Sequence, residues 1–262
     1  MSLLSLHDKA VLAARFERDP ALHQLELGDL DDLLWPHTTW YTLGDDGPVA
    51  LLYGVGDPPT LLGLGRPEEA ADWRALTHAL LPVLPRRILA HLSADSLQVL
   101  STAYAVKRHG TLRRMALTDP ARADRHPLGP WRPQPLGRAE LPELTELFAA
   151  SYPGNWFDDR MIDTGQYVGA RDDDGSLVAV AGVHVYSPAH RVAAIGNVTT
   201  RPAARGRGAA AACVAVLCRQ LARTVDHIGL NVRADNTIAV RLYERLGFTS
   251  VLEFEEATLT AH

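Results

Sequence analysis

The sequence predicts an α/β (α+β) fold in two tandem domains of one plan, each a mixed, mostly antiparallel sheet flanked by helices. Three observations carry this. Strand-like and helix-like periods alternate along both halves. Landmarks recur at a near-constant offset: Gly47 and Gly175 stand 128 residues apart, Arg66-Pro67 and Arg201-Pro202 135 apart, and Gly110 and Gly247 137 apart. A proline-rich stretch separates the copies. The 262-residue length suits two domains of about 130 residues. The expected division is 1–119, a linker over 120–135, and 136–262.

In chain order, Leu6 to Arg18 and Ala21 to Leu34 read as amphipathic helices, the second stopped by Pro36. Thr39 to Leu43 and Val49 to Tyr53 flank Gly44-Asp45-Asp46-Gly47, a hairpin signal. A strand near Thr60 to Leu64 leads into Arg66-Pro67-Glu68-Glu69, where proline and acids suit a helix start. Arg87 to His91 reads as a strand, Ala94 to Arg108 as a helix and Thr111 to Thr118 as a strand. Asp119 to Pro135 holds five prolines and few apolar residues apart from Leu128 and Trp131, which predicts a stiff linker.

The second copy opens with a helix over Leu141 to Ala150 and an aromatic turn, Ser151 to Phe157, before a short helix ending near Asp163. Tyr167 to Ala170 and Leu177 to Ala181 flank Asp172-Asp173-Asp174-Gly175, echoing the first hairpin. Strands follow at Gly182 to Tyr186, Ala193 to Thr200 and Ile228 to Val232. The helix Ala209 to Arg223 has Ala210, Cys213, Val214, Leu217 and Leu221 on one face. A last helix is capped by Asp235 or Asn236, with Ile238, Leu242 and Leu246 expected to be buried.

Composition narrows the function. A hydrophobic share of 47% with 22% charged residues describes a globular protein with a real core. The net charge of −5 argues against nucleic acid as a partner. No apolar run reaches the roughly 18 to 20 residues that cross a bilayer, and the first residues lack a basic, long-hydrophobic leader, so no membrane partner and a cytoplasmic location are expected. Cys213 and Cys218 lie about 140° apart on one helix, so they cannot pair with each other and read as packing residues. The histidines show no metal-ligand spacing, and no metal is expected.

The stretch Gly196 to Ala210 carries the chemistry. An apolar strand ends in an Arg- and Gly-loaded turn that feeds an Ala-rich helix. The first amides of a helix have no intrahelical acceptor and lie at the positive end of its dipole, which makes this turn an anion cradle. Gly206 and Gly208 let a ligand approach the main chain, and Arg205 and Arg207 offer forked donors to phosphate.

Arg205-x-x-Gly208-x-Ala210 fits the R/Q-x-x-G-x-G/A signature of the GNAT superfamily of acyl-CoA-dependent N-acyltransferases. Asn231 to Phe248 resembles its second block, N-x-x-A-x-x-x-Y-x-x-x-G-F. The resemblance covers residues 136–262, and the run Gly196 to Gly208 is similar to the glycine N-acyltransferase-like branch; the first copy shares only the layout. It implies an N-acyltransferase that moves an acetyl or short acyl group from acetyl-CoA, or another acyl-CoA, to a primary amine of a small molecule or peptide in a ternary complex. Val198, Thr199, Thr200, Arg205, Gly206, Arg207, Gly208, Ala209, Ala210 and Asn236 would bind the donor. Amides around Val198 would meet the thioester oxygen, and Tyr243 would protonate the leaving thiolate.

The strand that carries a glutamate base in relatives, Ala193 to Thr200, has none here, leaving His184 or a water held by Asn197. Asn197, Tyr186 and Trp156 are the candidates for the acceptor side. In the first copy, Glu68, Glu69 and Asp72 replace the glycine loop and would repel a diphosphate, so that domain reads as degenerate. The alternative class is a non-catalytic acyl-CoA sensor or scaffold. Monomer and homodimer both remain open.

Gly206-x-Gly208-x-x-Ala211 also satisfies a dinucleotide fingerprint. Against it, Thr199 to Arg205 separates strand from glycine, and Asp226 lies at the wrong end of its strand to meet a ribose. No G-x-S-x-G nucleophile elbow occurs.

Overall fold

The structure is a computed structural model that describes residues 2–32 and 34–262. Its elements in order are β1 (Leu3–Leu6), α1 (Lys9–Phe16), α2 (Gln24–Gly28), β2 (Thr38–Leu43), β3 (Val49–Tyr53), β4 (Thr60–Gly63), α3 (Ala70–Leu80), β5 (Arg87–Leu92), α4 (Ala94–Leu100) and β6 (Tyr104–Leu117). There follow α5 (Pro120–Arg125), β7 (Gln134–Pro135), α6 (Leu141–Ser151), β8 (Val168–Arg171), β9 (Leu177–Ser187), β10 (Val192–Thr200), α7 (Ala209–Leu221), β11 (His227–Arg233), α8 (Thr237–Arg245) and β12 (Phe248–Ala261). The chain forms two compact units: Met1–Arg114 with Val232–Asn236 and Ser250–His262, and Met115–Asn231 with Thr237–Thr249.

In the first unit the strand order is β1-β2-β3-β4-β5-β12-β6. Neighbours from β1 to β4 are antiparallel, β4 and β5 run parallel, and β5 and β12 antiparallel. The last strand was expected in the second domain, but its core-facing side chains place it here. Ala257 and Leu259 sit opposite Ala90 and Ile88 and join a core with Trp73, Leu76, Leu80, Leu97 and Leu100. Burying such side chains is worth roughly 1.5 to 3 kcal/mol each.

Three expected helices shrink in this unit. Leu3–Leu6 pairs with β2, and the helix begins only after Asp8, whose carboxylate accepts the amides of Ala10 and Val11. The helix expected over 21–34 is the short α2, with position 33 outside the described residues. The helix expected over 94–108 ends at Leu100, and Tyr104 opens the 14-residue strand β6.

The second unit has the order β11-β10-β9-β8-β7, with β10 and β11 parallel and the other neighbours antiparallel. Helix α7 packs on β8, β9 and β10 with Cys213, Val214, Leu217, Cys218 and Leu221 buried. Both cysteines are free, and burial pushes their thiols up to about 12. The segment expected to be a linker is structured: α5 packs on α7, Ala123 and Trp131 are buried, and Arg219 donates to the carbonyls of Ala123 and His126. In α8 the buried face is Val240 and Tyr243, while Ile238, expected inside, is 82% exposed. Gly247 has φ +97°, and a Cβ there would lie 2.0 Å from the Asp119 carbonyl, so only glycine fits this turn. No described helix is long and apolar enough to cross a membrane.

Candidate functional site

The site in the second unit begins where two parallel strands part. β10 pairs with β11 from Val192 to Ile195 only, although β10 continues to Thr200. Its pairing with β9 slips between Gly196 and Thr199, and within the slip Asn197 has φ +53°, a conformation rare for a residue with a side chain. Backbone on the β11 side of this stretch is thereby released from the ladder. Val198 and Thr200 are half-buried there and Thr199 is buried.

Beyond β10, one turn at Pro202–Ala204 leads to Arg205, then Gly206 (φ +78°) and Gly208 (φ +84°), and α7 starts at Ala209. The left-handed φ values call for glycine; a Cβ at either position would meet nothing within 4 Å, so the space over the loop is open. The helix has no side-chain cap. Among the described residues, no amide from Gly206 to Ala211 donates to another protein group; the first to do so is Ala212, to the Gly208 carbonyl at 3.0 Å. A row of free amides at the positive end of a 13-residue helix fits a diphosphate.

The three arginines of the loop are not equivalent. Arg201 reaches Glu146 at 3.3 Å. Arg207 is bidentate to Asp172, at 2.8 and 3.1 Å, and its guanidinium lies 5.0 Å over the Trp131 ring. Arg205 has no carboxylate partner among the described residues and donates only to the carbonyls of Thr200 (3.2 Å) and Ser151 (3.4 Å). Free charge at the cradle therefore rests with Arg205, and Arg207 is already committed.

Past the splay lies an aromatic cluster. The His184 ring covers Gly196, where a Cβ would come within 2.4 Å of it, and meets Trp156 edge-on at 5.6 Å. Trp156 itself is 48% exposed. Burial pushes the His184 imidazole below the ordinary histidine value, Asn197 acting the other way, and its Nε2 has no hydrogen-bond partner. Buried Asn197 donates through Nδ2 to the Tyr167 hydroxyl (3.0 Å), which donates to the Val183 carbonyl (3.0 Å). Asn155 donates to Asn197 Oδ1 at 3.4 Å. Tyr243 is buried against Phe248, and its hydroxyl has no partner among the described residues. Burial, then the neighbouring Tyr152 and Cys218, raise its phenol above the ordinary tyrosine value, so it stays protonated.

One sequence candidate falls away from this cluster. Tyr186 pairs opposite Ala193 at the far end of β9, and its hydroxyl donates to Thr224 beyond the C-terminus of α7. Asn236 directly precedes α8, which begins at Thr237. Conversely, Tyr167 and Asn155 were not singled out as site residues from sequence. One trace of Tyr167 was present, since Gly182 in mid-strand marks a close approach: the Tyr167 ring would lie 2.1 Å from a Cβ there. Among the described residues no three His, Cys, Asp or Glu side chains gather as metal ligands.

Residues 135–248, which span this site, match the family model of the Acetyltransferase (GNAT) family. Over this segment the chain is similar to the GNAT acetyltransferases. Solved structures agree with that. A protein of Novosphingobium aromaticivorans described as a GNAT-family acetyltransferase is 25% identical over 77% of this chain and 84% of its own, with a TM-score of 0.53. A Drosophila protein covers 98% of both chains at a TM-score of 0.71 and 15% identity. A tandem GNAT protein from the clavulanic acid biosynthesis pathway covers 100% of this chain and 98% of its own at 0.55 and 14%. The last two likenesses concern the fold alone, and each runs over both units. No curated protein sequence matches the chain.

Proposed function

We propose that the GNAT domain transfers an acetyl or short acyl group from acyl-CoA to a primary amine by direct attack in a ternary complex. The observation that carries this is the unpartnered amide row from Gly206 to Ala211, in the same unit as a protonated Tyr243 with a free hydroxyl. The amine nitrogen forms a bond to the thioester carbonyl carbon, the carbonyl oxygen gains charge, and the C–S bond breaks. Amides freed near Val198 suit the developing oxyanion. Tyr243 gives its proton to the departing thiolate, and the proton lost by the amine passes to neutral His184, whose Nε2 is unpaired. The products are the amide and free CoA.

Trp156, Asn155 and Asn197 are assigned to the acceptor side, and the run Gly196 to Gly208 supports the glycine N-acyltransferase-like branch. The first unit is assigned a structural or substrate-shaping role. Its equivalent turn supports this: the Arg66 amide donates to Glu69 at 2.7 Å, and the Trp73 ring covers Gly65. A panel of primary amines with acetyl-CoA, read by thiol release, tests the reaction. Release that depends on the amine is expected; calorimetric CoA binding without release by any amine would instead mark a sensor.

A further inference from the structure

We propose that Trp131 is a positioning residue for the donor loop, acting through the Arg207 main chain, and that the Arg207 side chain is not a ligand of the donor; this rests on the acyl-CoA reading above. Trp131 lies in the proline-rich run after α5 and is 4% exposed. Its indole Nε1–H donates to the Arg207 carbonyl at 2.8 Å. The Arg207 guanidinium folds back over the same ring at 5.0 Å and ends on both oxygens of Asp172, in the turn between β8 and β9. One loop residue is thus gripped at its main chain by an indole and at its side-chain end by a carboxylate.

The grip on the carbonyl has a directional consequence. In a trans peptide the C=O and the following N–H point in opposite directions. Fixing the Arg207 carbonyl on the Trp131 side therefore turns the Gly208 amide away from Trp131, and keeps that oxygen from turning in among the unpartnered amides. The control matters because Gly206 and Gly208 flank Arg207, and a glycine-flanked peptide is free to rotate in the absence of a ligand. An indole that only filled space would serve as well without this bond. The guanidinium, by contrast, is already spent on a carboxylate and a ring face, and a donor phosphate would have to displace Asp172 to use it.

The test compares full-length wild type, Trp131→Phe and Arg207→Gln for acetyl-CoA affinity by calorimetry, with KM and kcat for the best amine. Phenylalanine keeps a ring under Arg207 and loses only the donor. Trp131→Phe is expected to raise Kd and KM for the donor roughly tenfold, with kcat at saturating donor within about twofold. Arg207→Gln is expected to change Kd by less than about threefold. Should Trp131→Phe fail to fold, replacing the indole of Trp131 by benzothiophene keeps the bicyclic shape without the N–H, and the same tenfold loss is expected. A donor Kd within about twofold of wild type in the folded donor-less variant overturns the proposal, as does a larger loss in Arg207→Gln. Wild type that binds no acetyl-CoA would overturn the acyl-CoA reading itself, a result seen before any variant is compared.

Discussion

Tyr243 and His184 meet opposite requirements through the same cause, burial. A buried phenol holds its proton more tightly, and a buried imidazole gives its proton up more readily, so at neutral pH one is a ready acid and the other a ready base. Tyr243→Phe is expected to lower kcat about 10²-fold with CoA affinity retained, measured by thiol release and calorimetry side by side. For His184 the active form is the neutral one, and its pKa is depressed. Activity should therefore be full at neutral pH and fall only as pH drops below the ordinary histidine value; His184→Gln should lower the plateau and abolish that acid limb in a kcat/KM profile. Tyr243 was legible in sequence because a short-range pattern fixes it, Asn231 to Phe248. Tyr167 and Asn155 were not, because their contacts with Asn197 span 30 and 42 positions. The commitment of Arg207 was hidden for the same reason, its partner Asp172 lying 35 positions away.

At the scale of elements, the strand-to-helix turn into α7 supplies donors through its backbone and charge through Arg205. Arg205→Glu is expected to weaken acetyl-CoA binding by about tenfold or more at low salt, a difference that narrows as salt is raised, followed by calorimetry. Elements with an unbroken period were readable within a residue or two: β3, β10 and α7 fall where the pattern puts them. The misread ones have mixed signals. Ala94 to Arg108 shows helical spacing, but Ser101-Thr102-Ala103 closes the helix as a turn, and Tyr104 onward pairs into a long strand. In α8 the buried face is set by Tyr243 rather than by Ile238 and Leu242, so the most hydrophobic stripe is not the one turned inward. The proline-rich run was read as a spacer because its two large apolar residues are sparse, yet Trp131 finds a buried seat and a hydrogen-bond acceptor.

For the whole molecule, the repeat was visible as an offset, but an offset cannot say which sheet receives the last strand; pairing of β12 with β5 settles that for the first unit. That unit also buries an ion pair. Burial alone would push Glu26 up, but Arg114 at 3.2 Å, helped by His23, draws its carboxyl down to about 2. A carboxyl depressed on folding adds stability above its unfolded pKa, near 4.5, and that contribution is lost as pH falls toward about 2. Glu26→Gln should remove this acid-limb dependence and, by taking a carboxylate from beside the buried Arg114, lower stability in urea unfolding. For the docking of the donor itself, the most direct measurement is the crystal structure of the protein with acetyl-CoA. The diphosphate oxygens are expected within about 3 Å of the amides between Gly206 and Ala211; a diphosphate bound elsewhere, with those amides untouched, would contradict it.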